Sequence, residues 1–80
     1  MVIALIARDK PGALQTRLDT REAHVAYLKD TGVVSQAGPL LDDAGQMIGS
    51  LVILDVADMQ AAQDWAAADP YAKAGLFANV

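Results

Sequence analysis

The stretch Gln46-Met47-Ile48-Gly49-Ser50-Leu51-Val52-Ile53-Leu54-Asp55-Val56 decides the fold. Its centre, Leu51 to Leu54, is apolar at every position, whereas a strand with one wet face alternates. It therefore reads as a strand buried on both faces and interior to its sheet. Upstream, Asp42-Asp43-Ala44-Gly45 places a glycine after a polar pair, which suits a type I turn closed by a left-handed residue and makes a hairpin. The arm before that turn, Val33 to Leu41, is a second strand interrupted by Gly38-Pro39. Proline cannot donate to a ladder, so this strand belongs at a sheet edge or carries a bulge.

Further out, Val2 to Ala7 is a short apolar run stopped by Arg8-Asp9-Lys10-Pro11-Gly12, and reads as the first strand. A helix is expected from Thr20 to about Thr31. Asp19 and Glu22 form its capping box and Gly32 its stop, with Leu14 to Leu18 as a separate turn leading in. Arg21, His24, Val25 and Leu28 share one stripe of that helix. Downstream, Asp58 caps a second helix, Met59 to Ala68, with Met59, Ala62 and Ala66 inward and Trp65 at the margin. Asp69-Pro70 ends it, because the residue before proline avoids helical backbone. Tyr71 to Ala74 makes one more turn closed by Gly75, and Leu76 to Val80 begins a fourth strand. The order βαββαβ specifies an α+β, ferredoxin-like antiparallel sheet with two helices on one face and strand order 4-1-3-2. That order puts Pro39 at an edge and the all-apolar strand inside.

With 80 residues, the chain is one small domain, of a size that buries only about 60% of its unfolded surface. Yet 54% of its residues are hydrophobic, and the bare face of the sheet needs a cover. A homodimer packed sheet to sheet supplies both cover and stability. The net charge of −4 argues against a nucleic-acid partner. The absence of cysteine excludes disulfides and thiolate metal sites. No apolar run is long enough to span a bilayer, and no basic segment precedes the first apolar stretch, so the expected compartment is the cytoplasm. No phosphate-binding glycine loop and no nucleophile elbow are present, and a lone histidine does not make a zinc site.

His24 is the one side chain whose ordinary pKa lies near neutrality, which makes it the general acid/base candidate. Alternatively it is a buried helix histidine with both nitrogens satisfied. Asp69 lies at the end of the second helix, where it either fixes the His24 tautomer or caps the Pro70 turn. Ser50 shares a strand face with Val52 and Leu54, so its hydroxyl needs a partner. It either orients a substrate or bonds backbone near Gly49. Arg17 and Arg21 either form an anion-binding rim or pair with nearby acids such as Asp19 and Glu22. Tyr71 and Trp65 read first as packing residues, with Tyr71 kept as a candidate substrate contact.

Taken in order, Ala7 to Gly12, Arg17-x-x-x-Arg21-x-x-His24, Ala37-Gly38-Pro39, Gly49-Ser50, Gln63 to Ala66 and Ala68-Asp69-Pro70-Tyr71 give a chain that resembles the YciI-like (YCII-related) family along almost its whole length. The resemblance implies a single domain over residues 1–80, a dimeric α+β barrel, and an active site built on a histidine and an aspartate that match His24 and Asp69. Ser50 matches as well. The resemblance brings no cofactor and no metal. It points to acid/base chemistry on a small cyclic molecule, since one branch resembles a dehydrochlorinase of a chlorinated hydroxyhydroquinone and the wider superfamily includes lactone isomerases. Relatives continue past Asn79-Val80, so either the fourth strand is short or its end and a C-terminal tail lie beyond Val80. Three readings of function follow: a lyase or isomerase, a metabolite-binding module, and a structural dimer. A His24 beside Asp69 that opens into a cleft favours the first; a His24 sealed in the core favours the last.

Overall fold

The computed structural model describes residues 1–80. The elements are β1 (Val2–Asp9), α1 (Leu14–Thr31), β2 (Val34–Leu41), β3 (Met47–Asp55), α2 (Met59–Ala68), α3 (Pro70–Lys73) and β4 (Phe77–Asn79). The four strands form one antiparallel sheet in the order β2-β3-β1-β4, the α+β ferredoxin-like arrangement. The two most apolar strands, β1 and β3, are central, and β2 with its proline lies at an edge. β1 runs two residues past Ala7 because Arg8 still pairs with Gly49. The hairpin between β2 and β3 is closed by Asp42, whose Oδ1 accepts from the backbone N–H groups of Ala44 and Gln46, both at 2.9 Å. Gly45 follows at φ 82°, in the left-handed region glycine tolerates.

The first helix differs from expectation. α1 is one continuous helix from Leu14, not a turn followed by a helix capped at Asp19. Nothing after Gly12 breaks the backbone, and the ladder starts with Arg17 N–H donating to Ala13 C=O at 3.1 Å. Asp19 sits inside the helix and accepts from Gln15 Nε2 at 2.8 Å. The other end behaves as the sequence implies, with Gly32 at φ 67°. Asp58 caps α2 by accepting from Ala61 N–H at 2.8 Å. The inward stripe of α2, however, is Ala62 and Trp65, while Met59 is 55% exposed. Trp65 can go inside because its indole N–H donates to Thr31 Oγ1 at 2.9 Å, leaving no polar atom unsatisfied. Tyr27 O–H in turn donates to Trp65 C=O at 2.8 Å, which ties α2 to the end of α1.

The core is a layer of Leu5, Ala7, Val52 and Leu54 from the sheet against Ala62 and Trp65 from α2. Tyr27 and Leu28 from α1 close it. The opposite face of the sheet carries Val2, Ile6 and Leu51, which stay exposed. β4 is short and pairs only through Arg8 with Asn79 and Asp9 with Phe77. Leu76, expected in this strand, precedes it and is fully buried. No helix is long and apolar enough to cross a membrane.

Candidate functional site

One face of α1 carries Arg17, Arg21 and His24, spaced four and then three residues apart, so they stack along a single stripe. His24 Nδ1 lies 2.8 Å from Asp69 Oδ1. Asp69 ends α2 and begins α3 in extended conformation, at φ −60° and ψ 130°, which is the conformation Pro70 imposes on the residue before it. That break turns its carboxylate sideways toward α1. The same Oδ1 accepts from the Tyr71 backbone N–H at 2.9 Å. A carboxylate only accepts, so Nδ1 is the nitrogen that carries the proton toward Asp69, and Nε2 is the ring nitrogen left without a partner in the chain. One oxygen thus meets both the imidazole and the N–H of the turn.

The Tyr71 ring stacks on His24 with centroids 3.8 Å apart and planes 15° from parallel. The Arg17 guanidinium carbon lies 4.7 Å from the Tyr71 ring centre. The imidazole and the guanidinium thus both pack on that ring. Arg17 is itself fixed by a fork of bonds, Nε to Asp9 Oδ2 at 2.7 Å and Nη2 to Asp9 Oδ1 at 2.8 Å. Nη2 also donates to Ser50 Oγ at 2.9 Å. Burial disfavours the Arg17 charge, but the hydrogen-bonded and charged Asp9 carboxylate more than offsets this and holds its pKa above the ordinary value.

These groups border a cavity of about 180 Å³. Arg17, Arg21, His24, Ser50 and Tyr71 form its polar side. Val25 and Leu28 of α1, with Ala37, Pro39, Met47 and Val52 of the β2–β3 arm, form the apolar wall. A cavity of about 150 Å³ holds benzene, so the space suits one substituted ring. The structure brings all six sequence-derived site residues to this place, in different roles. His24, Ser50 and Tyr71 are buried yet border the cavity. Asp69 lies behind the imidazole rather than on the wall. Arg21 is exposed at the rim and makes no ion pair. Arg17 has its charge matched by Asp9 and serves to hold Ser50, instead of lying open on the rim or pairing with Asp19 or Glu22.

Sequence reasoning missed Asp9. Its one signal was its place in the polar break after β1, which only the sheet register brings beneath α1. No group of three or more His, Cys, Asp or Glu side chains gathers where it would hold a metal ion.

A family model described as the YCII-related domain matches residues 1–80. An uncharacterized protein of Haemophilus influenzae is 40% identical over 89 residues, spanning 100% of this chain and 91% of that protein. Protein YciI of Escherichia coli is 39% identical over 89 residues with the same coverage. Among solved structures, 5-chloro-2-hydroxyhydroquinone dehydrochlorinase (TftG) from Burkholderia phenoliruptrix, in complex with 2,5-dihydroxybenzoquinone, superposes with a TM-score of 0.87. It is 34% identical in sequence, over 98% of this chain and 86% of that chain.

Proposed function

The chain belongs to the YCII-related, or YciI-like, family, and from that membership and the chemistry of the cavity we propose that it is a small-molecule enzyme whose His24, oriented by Asp69, performs general acid/base chemistry on a small cyclic substrate. The observation that carries this reading is the 2.8 Å contact between His24 Nδ1 and Asp69 Oδ1, with the imidazole at the edge of a ring-sized cavity. Nε2 takes a proton from the substrate. The electron pair left behind either expels an anion from a conjugated carbon, which is elimination, or is reprotonated elsewhere, which is isomerisation. Positioned proton transfer of this kind is worth about 10²–10⁴-fold. The similarity to a dehydrochlorinase supports elimination as the first reaction to test. Ser50 and Arg21 border the same space and supply hydrogen-bond donors to a polar substituent.

The active unit in this reading is a homodimer. Val2 and Ile6 are 72% and 49% exposed on the open sheet face, and such a contiguous apolar surface fits a second copy of itself.

The test is chloride release from 5-chloro-2-hydroxyhydroquinone. The wild-type chain should release chloride, and His24→Gln and Asp69→Asn should each lose at least about 100-fold in rate. Turnover that survives His24→Gln unchanged overturns the assignment. Binding of ring compounds by the wild type without turnover of any favours a metabolite-binding module instead.

A further inference from the structure

Tyr71 is only 2% exposed, yet it borders the cavity. Its backbone and ring are fully engaged. Asp69 accepts from its N–H, His24 stacks on its ring, and Phe77 meets the ring edge-on at 6.0 Å and 81°. Its hydroxyl is different. No acceptor in the chain takes a hydrogen bond from it, whereas the other tyrosine, Tyr27, donates to Trp65 C=O. No fully buried polar side-chain atom in the protein lacks a partner. The Tyr71 hydroxyl therefore reaches open space, and the space it borders is the cavity. Arg17 is a hydrogen-bonding neighbour of the hydroxyl oxygen; a guanidinium only donates, so the O–H proton is left to be given elsewhere.

Resting on the acid/base reading above, we propose that Tyr71 is a further catalytic residue. Its hydroxyl donates a hydrogen bond to the substrate oxygen on which negative charge collects when His24 Nε2 removes a proton. The substrate class that follows is a small ring bearing an enolisable carbonyl or an acidic hydroxyl conjugated to one. In the step itself, the proton moves from substrate carbon or oxygen to Nε2. The freed electron pair delocalises onto the oxygen, and Tyr71 keeps its proton throughout.

The surroundings suit this role. Arg17, itself paired with Asp9, lies against the ring, and Arg21 is an exposed cation on the rim without an ion pair, so the oxygen site has an uncompensated positive charge close by. Burial raises the Tyr71 pKa; Arg17 and Arg21 oppose that and Asp69 adds to it, and the net shift is upward, so the hydroxyl stays a donor at neutral pH. Ser50 adds a second hydroxyl to the same wall. Donors fixed in advance at the point where charge develops are the usual source of large electrostatic stabilisation.

The experiment titrates 2,5-dihydroxybenzoquinone, followed by its visible absorbance, into wild type, Tyr71→Phe and Tyr27→Phe. Tyr71→Phe should weaken binding by about 10- to 100-fold, the worth of a hydrogen bond to a charged group. Tyr27→Phe should leave binding unchanged. Wild-type affinity should also fall at alkaline pH as Tyr71 ionises, and Tyr71→Phe should lack that limb, a difference a packing role would not produce. Should Tyr71→Phe fail to fold, replacing both tyrosines by 3-fluorotyrosine should move the limb to lower pH. Wild-type affinity and an unaltered alkaline limb in Tyr71→Phe overturn this proposal while leaving His24 and Asp69 as the acid/base pair. No binding by the wild type overturns both.

Discussion

Replacing Asp9 by alanine should strand the Arg17 guanidinium. Both side chains are almost fully buried, at 3% and 5% exposure, and the carboxylate is the one anion bonded to that cation. The partners left to Arg17 are the Ser50 hydroxyl and the ring and hydroxyl of Tyr71, none of which carries charge at neutral pH. Breaking a buried pair from one side costs about 3–5 kcal/mol. A chain of 80 residues has roughly 4–12 kcal/mol of stability in all, so Asp9→Ala should stand near the edge of folding. Urea unfolding followed by the fluorescence of Trp65, the one tryptophan, reads this directly. With an m-value of about 1 kcal/mol/M, the midpoint should fall by roughly 3–5 M. The double variant Asp9→Leu with Arg17→Met removes both charges while keeping their volume. It should regain most of the loss, because the pair's own desolvation largely cancels its attraction. A single Asp9→Ala that costs less than about 1 kcal/mol, or a double variant no better than the single, would refute the picture of a charge pair sealed beneath α1.

Three further outcomes follow from the same packing. Ile53 neighbours Leu51 and Ile6 in alternation on the open face of the sheet, so Ile53→Lys should convert a dimer to a monomer by sedimentation at micromolar concentration; a wild-type chain that sediments as a monomer sinks the dimer itself. Gly49→Ala should destabilise by about 1–3 kcal/mol, because the added carbon meets the Ala7 carbonyl oxygen and lies 3.0 Å from Leu40 Cδ1; an unchanged melting temperature would show that β1 and β3 can separate there freely. Burial raises the pKa of both Tyr27 and Tyr71. Stability should therefore be level up to pH of about 10, then fall by up to about 1.4 kcal/mol per pH unit per tyrosine, since the unfolded chain loses its phenolic protons first. Urea midpoints across that range test this, with Tyr71→Phe expected to show a shallower fall and a flat wild-type profile contradicting it.

The pattern of apolar residues carried the topology because each strand announced its own place. Leu51 to Leu54 had to be interior, and Pro39 had to be at an edge. His24 and Asp69 were legible for a related reason, since a lone histidine and a carboxylate before proline are both locally conspicuous. The partner of Arg17 was not. Asp9 and Arg17 are eight residues apart across a turn, and their meeting depends on how far β1 extends before α1 begins. The same blind spot misplaced the helix start, because Asp19 and Glu22 imitate a cap without backbone that needs one. Trp65 looked marginal on its helix because periodicity counts angles and takes no account of Thr31, which satisfies the indole from another element.

The polar cluster and the opposite cavity wall come from separate parts of the chain. Arg17, His24, Asp69 and Tyr71 are locked to one another by hydrogen bonds and stacking. Ala37, Pro39 and Met47 belong to the edge hairpin and have no side-chain group that hydrogen-bonds to the others. Their bulk alone outlines that side of the cavity. Descendants of such a protein can trade one molecular outline for another by exchanging methyls and thioethers along the hairpin, while the hydrogen-bonded cluster stays as inherited. In this fold, variation of outline falls on the hairpin and preservation of the polar cluster on the helices.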